Sequence, residues 1–366
     1  MRSHEPTGKV ENDWRLHVSC SPEAVALFVR QLAEMFRAGI PLAQALETLA
    51  HQPDQPSLAA AVVSLAQDVH GGHTLSAALH RFPRLFPNVL VVMVRIGERS
   101  GGLEKALLQV AVWLERDNGI RKRMRAAMVY PSFVLFLTGL LTLGLFTSIM
   151  PGFVEILEGM HVELPLITRM VVALTHTALS PGAWLIGISV VGAFTVFARD
   201  YLRNPKGRRS FYRVLLKVPV FGPLTRCTAI ARYSAAVHSL VATGVPLDKT
   251  IELAGEASGN PLFSEDSQNM VKAMHGGIQI SEHMRARTDL YPPTFLHMTV
   301  LAEETSRVED VYQRMARFYD QEIEYRIEVL GAMMEPLMML VVGLVVGTVV
   351  FAVFLPLYSY LGRFGT

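Results

Sequence analysis

Two glutamates at matching places in the chain are the side chains best suited to bind a ligand. Glu98 and Glu303 each lie in a turn region before a long apolar helical stretch. Carboxylate oxygens bind hard cations such as calcium. One carboxylate per region is a small ligand set, and an acidic helix cap or an ion pair between helices is the interpretation that we favour. Calcium is thus the one cofactor that the sequence suggests.

The residue patterns of common catalytic sites are missing from the sequence. No GxxxxGK[ST] segment is present to bind nucleotide phosphates, and neither HExxH nor GxSxG occurs. The 12 histidines are scattered, and Cys20 and Cys227 lie far apart, which predicts two free thiols and no zinc site. These absences predict a protein that is not an enzyme.

The composition indicates a membrane protein. Hydrophobic residues make up 51% of the chain, while the net charge of +2 gives no basic field for binding nucleic acid. The first residues lack the basic and then apolar pattern of a secretory signal. We therefore expect a cytoplasmic N-terminus and no nucleic-acid partner.

Three apolar segments are long enough to cross a hydrocarbon core of about 30 Å. They are residues 129–151, 175–198 and 334–358. Charged residues are absent between Arg125 and Glu155, from Met170 to Ala198, and between Glu335 and Arg363. Because ion pathways normally carry charged groups inside the membrane, a transporter subunit is the weaker alternative.

Basic residues beside these segments predict their orientation. They precede the first segment and follow the second, so both of those ends are expected in the cytoplasm. The loop 152–169 and the tail 359–366 are then periplasmic. The basic run at 199–217 is also able to bind anionic lipid headgroups, although a topology signal with no other role is the interpretation that we favour.

The chain repeats itself at an offset of 205 residues. AlaGlyIleProLeu at 38–42 matches ThrGlyValProLeu at 243–247, and HisGlyGly at 70–72 matches HisGlyGly at 275–277. In each copy a glycine ends one helix and a proline two residues later starts the next. A helical domain followed by a membrane segment is therefore predicted to be duplicated.

The predicted organisation follows from the membrane segments and the repeat. In chain order it comprises an N-terminal tail 1–20, a first cytoplasmic helical domain 21–128, a first transmembrane helix 129–151, a periplasmic loop 152–169, a second transmembrane helix 175–198, a basic cytoplasmic linker 199–227, a second cytoplasmic helical domain 228–333, a third transmembrane helix 334–358 and a periplasmic tail 359–366.

Several motifs resemble one bacterial family from about Val25 to Tyr358. They are residues 28–42, Gly97 to Leu103, ValTyrProSer at 129–132, LeuProLeuIleThr at 164–168, GluProLeu at 335–337 and LeuProLeuTyr at 355–358. The chain resembles the type II secretion system F proteins, also called type IV pilus assembly platform proteins of the PilC type. The residues that carry the repeat and the family motifs are Gly39, Pro41, Gly97, Glu98, Gly101, Tyr130, Pro131, Pro151, Gly244, Pro246, Glu303, Glu335, Pro336 and Pro356.

This resemblance implies an all-α membrane protein with two homologous cytoplasmic bundles of about six helices each and three transmembrane helices. It implies a non-catalytic platform in the bacterial inner membrane that couples a secretion ATPase to the extraction and polymerisation of pilin-like subunits. The implied partners are that ATPase, inner-membrane assembly proteins, pilin or pseudopilin transmembrane helices, membrane lipid and further copies of the chain. It does not distinguish a secretion pseudopilus from a pilus or a DNA-uptake filament.

Two departures from the family pattern affect which roles are transferred from the family to this chain. Only about 20 residues precede the first copy, whereas many relatives have some tens. In the second copy Arg307 replaces a turn glycine. The two domains therefore need not share a ligand or partner, and a role is transferred more readily to Glu98 than to Glu303.

Overall fold

The first copy of the repeat contains six helices. The computed structural model describes residues 20–51, 55–148, 204–219 and 221–361, with shorter stretches between 151 and 201. The helices of the first copy are α1 (Pro22–Arg37), α2 (Leu42–Ala50), α3 (Pro56–His70), α4 (Leu75–His80), α5 (Asn88–Ser100) and α6 (Leu103–Ser148). No strand occurs among the described residues, which agrees with the predicted all-α class.

The second copy repeats the first at the level of individual helices. After α7 (Pro205–Leu215), its helices are α8 (Phe221–Ala242), α9 (Leu247–Ala257), α10 (Pro261–His275), α11 (Ile280–Arg285), α12 (Pro293–Thr305) and α13 (Val308–Leu361). The helices α9 to α13 each begin 205 residues after their counterparts in the first copy. The duplication read from the sequence is thus confirmed for the described helices.

Local signals explain why the helices begin and end at these residues. The hydroxyl of Ser21 accepts a hydrogen bond from the backbone of Ala24, and Pro22 occupies the first turn of α1. Gly39 and Gly244 have φ angles of 82° and 83°, which glycine adopts without a steric penalty. The predicted helix, glycine turn and helix are confirmed at both places.

The left-handed residue before α13 is not the one that the sequence comparison indicated. Gly101 has a φ of 74°, and its counterpart Ser306 has a φ of 55°. Arg307 instead aligns with Gly102, which is not left-handed. Arg307 does replace a glycine of the turn, but the left-handed position is taken by Ser306 in place of Gly101. A short polar side chain is tolerated there better than a branched one.

The described residues form two compact units. One comprises Met1–Lys122 with Tyr212–Glu324, and the other comprises Arg123–Phe211 with Tyr325–Thr366. The first unit therefore contains the early helices of both copies. Both α6 and α13 have residues in each unit.

Two of the described helices are long and apolar enough to cross a membrane. The qualifying stretches are Leu103–Leu145 and Val308–Phe351, and little of either apolar window is buried inside the protein. They contain the first predicted transmembrane segment up to residue 145 and the third up to residue 351. Most of the second predicted segment and of the loop 152–169 lies outside the described residues.

The region expected to be a basic linker contains a helix of its own. Helix α7 lies within residues 199–227, and α8 begins at Phe221, before the predicted domain boundary at 228. Charge alone guided the sequence interpretation of this run. The missed signal was the helical spacing of Phe211, Val214 and Leu215.

Candidate functional site

Glu98 binds the N-terminus of a neighbouring helix in the first copy. Its two carboxylate oxygens accept hydrogen bonds from the backbone nitrogen of Ser76, at 3.2 Å, and from the hydroxyl of Ser76, at 2.6 Å. Ser76 is buried and lies in the first turn of α4. The first N–H groups of a helix lack partners within the helix and carry partial positive charge, which a carboxylate stabilises. Glu98 therefore links α5 to α4 as a cap.

Glu303 binds the N-terminus of the corresponding helix in the second copy, through slightly different hydrogen bonds. It accepts hydrogen bonds from the backbone nitrogens of Ile280, at 2.7 Å, and Ser281, at 3.2 Å. These residues begin α11, the counterpart of α4. The two glutamates singled out by the sequence thus share one structural role, although the turn residues that follow them differ between the two copies.

These hydrogen bonds occupy the carboxylate oxygens that would have to coordinate a metal ion. Calcium takes six to eight oxygen ligands, whereas both oxygens of Glu98 already accept hydrogen bonds from Ser76. Within the described part of the chain, no group of three or more histidine, cysteine, aspartate or glutamate residues is placed to hold a metal. The contacts fit a cap better than a cation site, and calcium binding stays a prediction.

Gly97 lets α5 and α6 approach closely next to this cap. A Cβ atom at Gly97 would lie 2.5 Å from the Cβ of Ala106. The counterparts in the second copy are the larger residues Ala302 and Val311. Small side chains at both positions therefore allow the close approach of α5 and α6 in the first copy.

We expect Gly97→Ala to lower the free energy of unfolding by about 1 to 2 kcal/mol, because the added methyl group overpacks the contact with Ala106. Denaturant unfolding of the detergent-purified chain, followed by circular dichroism, measures the change. Gly119→Ala is the matched control. Nothing lies within 4 Å of a Cβ at Gly119, so this change in α6 should stabilise the helix through its higher helix propensity. Equal effects of the two substitutions would contradict the close approach.

The remaining motif residues shape the backbone or lie on the two long helices. Pro41 and Pro246 occupy the positions just before α2 and α9. Gly39, Gly101 and Gly244 are left-handed. Tyr130 and Pro131 lie in α6, Glu335, Pro336 and Pro356 lie in α13, and Pro151 is a helical residue after α6. Among the described motif residues, Gly97 and Glu98 therefore lie at the cap of α4, and Glu303 lies at the cap of α11.

The two copies contact each other through ion pairs that sequence reasoning missed. The guanidinium of Arg116 lies 2.7 Å from Asp320 and also donates to the carbonyl oxygen of Ala316. Arg232 lies 2.5 Å from Asp117. All four charged side chains are less than a third exposed. These pairs join α6 to α13 and to α8 within one compact unit.

A comparison of the two copies shows why Asp320 pairs with a residue of the other copy. Glu115, the counterpart of Asp320, pairs with Arg30 of its own copy at 3.0 Å. The counterpart of Arg30 is Ala235. Asp320 therefore lacks the arginine within its copy and is paired with Arg116 of the other copy.

We expect a double-mutant cycle of Arg116→Ala and Asp320→Ala to give a coupling energy of about 1 to 2 kcal/mol, because the pair is partly shielded from water. Unfolding of the purified single and double variants measures this coupling. The exposed pair Arg307 and Asp310 is the control. Exposed pairs contribute about 0.3 kcal/mol. A coupling for Arg116 and Asp320 as small as that of the control would remove the role assigned to their contact.

A cleft of about 300 Å³ lies between the copies beside these pairs, and its lining includes Arg84, Asp117, Arg232, Glu256 and Cys20. Asp117 is already paired with Arg232, and Glu256 accepts a hydrogen bond from a first-copy side chain. Burial raises the pKa of the Cys20 thiol, so the thiol stays protonated at neutral pH and is a weak nucleophile. The side chains that line the cleft therefore form part of the contact surface between the two copies.

The core of the second copy holds a buried polar cluster around Asp266, which is 1% exposed. Its carboxylate accepts hydrogen bonds from Arg287 at 2.8 Å and from the hydroxyl of Tyr291 at 2.8 Å, and His283 lies 3.4 Å away. Burial raises the pKa of Tyr291 well above its usual value, so the hydroxyl remains a donor.

The first copy has apolar residues at each of these four positions. They are Ala61, Ala78, Phe82 and Phe86. The same fold is therefore stabilised by apolar packing in one copy and by a buried hydrogen-bonded carboxylate in the other.

Comparisons with known proteins identify relatives that match most of this chain. Similar proteins include the type IV pilus assembly protein PilC of Pseudomonas aeruginosa, which is 32% identical over 92% of this chain and 90% of its own length. PilC of Thermus thermophilus is 33% identical over 92% and 82%. The type II secretion system protein F of Aeromonas hydrophila is 29% identical over 92% and 86%.

A family model, described as type II secretion system (T2SS), protein F, matches the chain twice. The matches cover residues 28–151 and 233–356, so they lie 205 residues apart, like the helices of the two copies. Together they cover more than half of the sequence. Because the same model recognises each copy of the duplicated helical unit, the chain belongs to the type II secretion system protein F family.

Proposed function

We propose that the protein is the inner-membrane platform of a type II secretion system or a type IV pilus assembly machine. In this role it couples a cytoplasmic secretion ATPase to the extraction and polymerisation of pilin-like subunits, and it performs no catalysis itself. The duplicated family domain carries the proposal, and relatives that cover most of the chain are named for these two machines.

The ion pairs between the copies support a mechanical role. The pairs of Arg116 with Asp320 and of Asp117 with Arg232 join α6 to α13 and to α8 in one compact unit. The last helix of each copy, α6 or α13, also contains an apolar stretch long enough to span a membrane. A movement imposed on the joined helices is therefore passed along α6 and α13, which are continuous helices.

The proposed topology places most of the chain in the cytoplasm, with three transmembrane helices. The two long apolar helices supply the first and third of these. The proposed partners are the secretion ATPase, inner-membrane assembly proteins, pilin or pseudopilin helices and further copies of the chain.

Deletion of the gene tests this function. The proposal predicts loss of the surface fibre or of secreted proteins, while the pilin-like subunits remain in the membrane at normal abundance. A plasmid copy should restore assembly. Unchanged fibres and secretion, together with a defect in the uptake of a small molecule, would instead indicate a transporter subunit.

A further inference from the structure

Helix α7 presents a basic face and an apolar face to solvent at the same time. Lys206, Arg209 and Arg213 are spaced three and four residues apart, so they lie on one side of the helix. Val214 and Leu215 follow Phe211 by three and four residues, so these three apolar side chains lie on another side. The side chains of Phe211 and Val214 are 45% and 64% exposed, and the three basic residues are also exposed.

The exposed surface continues beyond the end of the helix. Lys217 is exposed, as are Val218 and Phe221, at 36% and 46%. No aspartate or glutamate occurs between Asp200 and Asp248. The charged residues of the segment itself are therefore all basic, as expected of a surface that attracts anionic groups.

We propose that α7 lies on the surface of a bilayer that contains anionic lipids. A topology signal requires basic residues only, and it gives no reason for an exposed apolar face on the same short helix. A membrane boundary accommodates both faces, because the apolar side chains enter the region beside the acyl chains and the basic side chains meet headgroup phosphates. The proposal rests on membrane insertion of the chain, and not on its role in fibre assembly.

Lipid-resident quenchers test this placement on the full-length protein. A fluorescent NBD label is attached at Val214→Cys in a Cys20→Ser, Cys227→Ala background. The protein is reconstituted in nanodiscs that carry a shallow nitroxide lipid, in neutral phosphatidylcholine or with about one-third phosphatidylglycerol. Because both leaflets have the same composition, the orientation of the chain does not affect the result. We expect about threefold greater quenching in the anionic discs.

Two sets of charge substitutions distinguish an effect of the basic face of α7 from an effect of the protein's net charge. Replacing Lys206, Arg209 and Arg213 with glutamine should reduce quenching in anionic discs to the level in neutral discs. Replacing Arg95, Arg99 and Lys105 removes the same charge from exposed positions elsewhere and should leave quenching unchanged.

Three results would overturn the proposal. Absence of quenching in both discs would leave the basic run as a topology signal, and equal quenching in both would remove the requirement for anionic lipid. A blue-shifted label without quenching would show that protein covers the apolar face. Recovery of the labelled protein in nanodiscs verifies membrane insertion, whereas the gene deletion tests the platform role separately.

Discussion

Asp266→Ala is expected to lower the free energy of unfolding by about 4 kcal/mol, because it breaks a buried charged network by removing its acceptor. The hydroxyl of Tyr291, which is 1% exposed, then has no carboxylate to receive its hydrogen bond. Arg287 keeps a second partner in Asp289, at 3.1 Å, so its loss is smaller. Denaturant unfolding of the purified chain measures the difference.

The first copy supplies the control for this substitution. A variant that changes Asp266 and His283 to alanine and Arg287 and Tyr291 to phenylalanine reproduces the apolar set of the first copy. Because apolar replacement of a whole buried network is often neutral or stabilising, this variant should recover much of the lost stability. If Asp266→Ala alone were as stable as the original chain, the network would have no stabilising role.

Glu98→Ala is expected to lower the free energy of unfolding by about 3 kcal/mol, because two buried donors of Ser76 lose a charged acceptor. The start of α4 would be the first region to open, and amide hydrogen exchange at residues 75–78 should increase. Ser76→Ala removes only the hydroxyl contact, so it should have a smaller effect. Glu303→Ala should produce the matching increase in exchange at the start of α11.

Unfolding in the presence of a calcium chelator distinguishes a capping role of Glu98 from a calcium site. A cap predicts that a calcium chelator leaves the unfolding transition of the unsubstituted chain unchanged. If Glu98 held calcium, the chelator would lower that transition and would have no further effect on Glu98→Ala. A chelator effect of this kind would contradict the capping role.

Local backbone signals made the helices of both copies predictable. Gly39 and Pro41, with Gly244 and Pro246, determine turns within a few residues, and the alignment of the copies at 205 residues then relates every later helix of the second copy to one in the first. Glu98 and Glu303 were found because they recur in the repeat. Their partners on α4 and α11 could not be read from spacing, since they lie 22 and 23 residues away.

Contacts that differ between the copies were the part that sequence reasoning missed. Arg116 and Asp320 are 204 residues apart, and no periodic pattern connects them. Asp266 occupies an alanine position of the first copy, so the repeat alone gave no reason to expect a buried carboxylate there. These differences show how one duplicated fold acquires two different cores and a contact between its copies.

Purification of the tagged chain from its own membranes tests most directly whether the protein joins a secretion ATPase to pilin-like subunits, as we propose. Mild detergent should keep the complex intact, and mass spectrometry should identify the co-purified proteins. We predict recovery of a secretion ATPase and pilin-like proteins, with a reduced yield of both for a destabilised variant such as Asp266→Ala. Recovery of the chain alone, or with a periplasmic solute-binding protein, would contradict the platform function.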